Sequence, residues 1–176
     1  KLVHKDIVWG TKLAHTVFFH ELKFYLEKSK PQLTASEFEN LCLLIVAATF
    51  QNQLAKSRLG EIHFDREIYS VFFYYSHLFN ASSENNHWKL PALKLLNNLQ
   101  FWSKDFRYDE GFFESLYQLA KSFEDGHSSK VYVDEPVQAA GVLFNILKSM
   151  VYAPSFTSLK HNRLARLVDI GLHLSA

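Results

Sequence analysis

Apolar residues recur three and four positions apart along almost the whole chain, and this spacing restricts it to helices packed on helices. Seven segments follow. The first runs from about Lys5 to Lys28, with Leu13, Val17, Phe18, Leu22, Tyr25 and Leu26 on its apolar side, and stops before Pro31. The second opens on Thr34-Ala-Ser-Glu37, where the threonine hydroxyl can accept from an orphan amide and the glutamate can reach back, and runs to about Arg58, ahead of Gly60. Asp65 caps a third over Arg66 to Asn80, and a fourth from Trp88 to Ser103 carries Pro91 in its first turn. The fifth follows Asp109 and ends before Gly126, with Phe112, Phe113, Leu116, Leu119, Ala120 and Phe123 along one side. The sixth starts after Asp134 with Pro136, and the seventh spans about Ser158 to Leu174. Lys130-Val-Tyr-Val133 alone resembles a strand and is too short to make a sheet.

These starts lie 21 to 30 residues apart, so connections are short and about seven helices pack as antiparallel neighbours in an all-α fold. Helix pairs starting at 65, 109 and 158 come near the ~40 to 47 residue period of HEAT and armadillo units. The expected architecture is therefore a HEAT/armadillo-like α-α superhelix segment, with a closed helical bundle as the alternative. One domain over residues 1–176 is expected, since 176 residues can bury a core without disulfides or metals. With Lys1 in first place and Met150 the only methionine, the chain is read as a piece of a larger protein.

Charge and cysteine narrow the function classes. Nineteen basic and eighteen acidic side chains leave a net charge of +1, which makes no global demand for nucleic acid or an anionic surface. The longest apolar run, Leu41 to Ala48, is far below the ~18 to 20 residues of a membrane span. Cys42 lies within that run and has no second cysteine to pair with, which favours a reducing, intracellular setting, cytoplasmic or nuclear.

Catalytic and metal patterns fail on inspection. His15 and His20 stand about 140° apart on a helix. His20-Glu21-Leu22-Lys23-Phe24 has phenylalanine where a zinc-protease helix needs its second histidine. His63 and Asp65 offer an imidazole and a carboxylate, but Asp65 is assigned to the helix cap. Six scattered glycines build no phosphate-cradling loop, and Cys42 sits among aliphatic side chains that raise a thiol pKa. No enzymatic activity and no cofactor are expected.

Two surface features remain as partner-binding candidates. Arg163 and Arg166 share one face of the last helix, with Lys160 near its edge, and two guanidiniums so placed can clamp a carboxylate or phosphate. Pairing of Arg166 with Asp169 is the plainer alternative. Tyr74 and Tyr75 belong to the aromatic run Phe72 to Tyr75, too many adjacent rings for one buried stripe, and combine an apolar body with a polar tip. The expected function is a non-enzymatic protein-protein interaction module of a scaffold or adaptor, taking a partner helix or peptide, with self-association through the same faces also open. The alternative is nucleic-acid binding by the basic face of Lys160, Arg163 and Arg166.

Overall fold

A computed structural model describes residues 8–13, 15–29, 32–80, 87–102, 106, 108–126, 134–153 and 161–176. Among these residues the structure is all helix: α1 (8–13), α2 (Phe18–Ser29), α3 (Ala35–Thr49), α4 (Gln53–Glu61), α5 (Phe64–Asn80), α6 (Lys89–Leu99), α7 (Glu110–Gly126), α8 (Asp134–Val151) and α9 (His161–Ser175). The strand-like Lys130–Val133 lies outside the described residues. The chain divides into two compact units, Lys1–Phe106 and Arg107–Ala176.

In the first unit the two longest expected segments are each broken. The first yields α1 and α2, with Thr16 at the join: its Oγ1 donates to the Leu13 carbonyl at 2.7 Å and accepts from Phe18 N at 3.3 Å. The second yields α3 and α4. α3 begins with the anticipated capping box, Glu37 N donating to Thr34 Oγ1 and Thr34 N to Glu37 Oε2. It ends at Phe50, after which Gln51 turns left-handed at φ 51° and buried Asn52 caps α4 by accepting from Ala55 N at 3.0 Å. Gly60 stays inside α4, and the left-handed residue that closes it is His63, φ 55°. α5 then starts at Phe64, one residue before the expected cap Asp65.

The α3–α4 corner also holds α1. Asn52 Nδ2 donates to Thr11 Oγ1 at 2.8 Å, and Gly10 lies so close to Ala48 that a Cβ there would overlap the Ala48 carbonyl. The most extensive packing in this unit joins α3 to α6, while α5 packs on α2, α3, α4 and α6. Rings fill the interior: Phe38 lies 5.6 to 6.1 Å from Phe72, Tyr75 and Trp88, and Phe64 bridges Phe19 and Trp102. Trp88 and Trp102 are buried and Trp9 is exposed.

In the second unit the helices follow the sequence expectation closely. Asp109 Oδ1 accepts from Phe112 N at 2.8 Å, and all six residues of the expected α7 stripe are buried. α7, α8 and α9 each pack on the other two, most extensively α8 on α9. Gly171 lets these two approach, since a Cβ there would stand 2.9 Å from the Phe144 ring. Val137 and Val151 of α8 are exposed, as is Val168 of α9.

Candidate functional site

The arginines of α9 are occupied by the unit's own carboxylates. Arg163 Nη1 meets Glu114 Oε2 at 2.6 Å and Glu110 Oε1 at 3.3 Å, and Arg166 Nη2 meets both oxygens of Glu124 at 2.9 and 2.7 Å. Two guanidiniums one turn apart on α9 therefore face three carboxylates on α7, and Arg166 takes Glu124 rather than the anticipated Asp169. The side chains involved are partly or fully exposed, so each pair is worth at most about 1 kcal/mol. The arrangement ties α9 to α7, and Lys160 lies outside the described residues.

The two tyrosines differ in burial. Tyr75 is 3% exposed, packs on Phe38, and its Oη accepts from Leu33 N at 2.9 Å, so it holds the entry of α3 against α5. As placed, Tyr75 is a core residue with no surface to offer. Tyr74 is 61% exposed, with its ring set edge-on to Tyr75 at 5.0 Å. Of the candidate residues that are described, Tyr74 and Arg166 are the exposed ones, and Arg166 is paired with Glu124.

Among the described residues no three His, Cys, Asp or Glu side chains are grouped to hold a metal ion. The Cys42 thiol is fully buried, and burial pushes its pKa up, away from the nucleophilic thiolate. Lys56 lies 5.2 Å over the Phe101 ring, and partial burial lowers its pKa. Among the described residues no helix is long and apolar enough to cross a membrane.

Sequence reasoning missed the apolar side chains left outside. On α8, Val137, Gly141 and Lys148 fall on one exposed row at intervals of four and seven, with Val151 at the end of the helix and Tyr152 just beyond it, both exposed. A Cβ at Gly141 would meet nothing within 4 Å. On α2, Phe24 and Tyr25 are both exposed, and Lys28 Nζ lies 5.8 Å over the Phe24 ring. The signal was in the sequence as apolar stripes wider than one packing face, although periodicity does not say which edge of a wide stripe turns outward.

No family model matches the chain, and no curated protein or solved structure matches it.

Proposed function

We propose that the chain is a non-enzymatic, intracellular protein-protein interaction module of a scaffold or adaptor, taking a partner helix or peptide on a helical surface. The observation that carries this reading is the set of apolar side chains left exposed along α8, Val137 and Val151, with Tyr152 just past its end and an open glycine at Gly141, one turn from Val137. A mid-helix glycine with no neighbour costs helix stability, and the space it leaves suits the close approach of another backbone. A HEAT- or armadillo-like repeat belongs to the same reading. Mutual packing of α7, α8 and α9 is in keeping with it, whereas the extensive α3–α6 packing is closer to the closed-bundle alternative.

The nucleic-acid alternative loses ground because Arg163 and Arg166 already face Glu110, Glu114 and Glu124. A photo-crosslinking residue at Tyr152, followed by calorimetry of the captured polypeptide against Tyr152→Glu, tests the main reading. Capture at Tyr152 with binding lost in the variant supports it; no crosslinked polypeptide overturns it. Filter binding to RNA and DNA across salt tests the alternative, because phosphate contacts weaken steeply as salt rises.

A further inference from the structure

The exposed face of α2 is its own electrostatic complement. Glu21, Phe24, Tyr25 and Lys28 are all exposed and fall within an arc of about 100° at 3.6 residues per turn. The acid stands three residues before Phe24 and the base three residues after Tyr25, so charge is reversed symmetrically about the two rings. Neighbouring charges disturb this pattern little, since Glu27, at the edge of the face, is paired with Lys23 at 3.4 Å.

From this arrangement we propose that the chain self-associates as a two-fold dimer through antiparallel pairing of α2 with α2 of a second copy. In a two-fold contact each residue meets the one equally far from the axis on the other copy. With the axis between Phe24 and Tyr25, the rings of the two copies stack at the centre. Glu21 then meets Lys28 of the second copy on both sides, about 5 Å from the axis along the helix at 1.5 Å per residue. A parallel pairing would set Glu21 on Glu21 and Lys28 on Lys28, and like charges so placed repel. Among the described residues, Lys28 gives up its loose contact over Phe24 to reach the new carboxylate. One helix face is smaller than the ~800 Å² per partner of stable interfaces, so the dimer is reversible and depends on concentration. It does not depend on what the α8 row binds.

Sedimentation equilibrium from micromolar to millimolar chain tests the pairing, with circular dichroism to confirm that each variant is folded. The wild-type chain gives a reversible monomer–dimer equilibrium. Glu21→Lys and Lys28→Glu each weaken it by about tenfold, because two symmetry-related pairs turn repulsive at once. The double reversal Glu21→Lys with Lys28→Glu restores wild-type affinity, and Phe24→Ala abolishes the dimer. Tyr152→Glu leaves it intact, which separates this contact from the α8 surface. A chain that stays monomeric at millimolar concentration, a dimer indifferent to the single reversals, or a double reversal that fails to restore it overturns the proposal.

Discussion

In the first unit seven rings, Phe19, Phe38, Phe64, Phe72, Tyr75, Trp88 and Trp102, are buried among aliphatic side chains such as Leu59, Leu93 and Leu96. In the second, helices of 15 to 18 residues bring the phenylalanines of α7 together with aliphatic side chains and small residues such as Ala139, Ala140 and Gly171. A ring buries more area per residue than an aliphatic chain can. Long helices in continuous contact gain more from small residues that let their backbones draw near.

Truncating a ring in the first unit is expected to have the largest effect. Phe38→Ala removes a 1% exposed side chain that touches three other rings and is expected to cost about 3–5 kcal/mol, read by urea unfolding with loss of amide protection across α3, α5 and α6. Ile170→Ala in the second unit is expected to cost about 2–5 kcal/mol by the same assay, with the protection lost in α8 and α9. If the two unfolding curves shift equally, the contrast between aromatic and aliphatic interiors carries no energetic weight. Gly10→Ala is expected to cost about 1–3 kcal/mol, because the new Cβ must push α1 off the Ala48 carbonyl. Its signature is faster amide exchange confined to α1 and the α3–α4 corner.

The same contrast explains how much of the molecule was legible in the sequence. α7 was readable almost to the residue, since Asp109 caps it and its one-sided stripe leaves a single way in. The breaks at 50–52 and around Thr16 were not, because apolar periodicity runs through both. The first is decided by Asn52, whose side chain caps α4 and holds Thr11, and that second partner lies 41 residues away in sequence. The site candidates divided in the same manner. That Arg163 and Arg166 share a face follows from their spacing, but their carboxylate partners on α7 are a tertiary fact. Of the adjacent Tyr74 and Tyr75 one is buried, and the choice of Tyr75 is made by Phe38 and Leu33.

Two smaller effects sharpen the comparison at its edges. Gly141→Ala is expected to raise stability by about 0.4–1 kcal/mol, since the methyl enters open space and the unfolded chain loses freedom. A thermal melt checks it, and a fall in stability would mean that the α8 row is covered in the folded protein. The capping box of α3 gives the first unit an acid-sensitive joint. Hydrogen bonds from the Thr34 backbone and side chain hold the Glu37 carboxyl below its ordinary 4.5. A group whose pKa is lower when folded stabilises fully above its unfolded value, so this contribution is complete above about pH 4.5 and lost as pH falls through the lowered folded value. Glu37→Gln is therefore expected to flatten the acid limb of the stability profile while leaving the rest of its shape unchanged, read from unfolding midpoints in a pH series.

The placement of the indoles carries an optical consequence. All three tryptophans, Trp9, Trp88 and Trp102, fall within the first unit, two enclosed and one open to solvent. Emission excited at the red edge of the protein band therefore reports on residues before Phe106 alone, with a quencher-accessible component from Trp9 and a shielded one from the other two. The second unit is silent at that wavelength, so the halves of one unlabelled chain are spectrally distinguishable in solution.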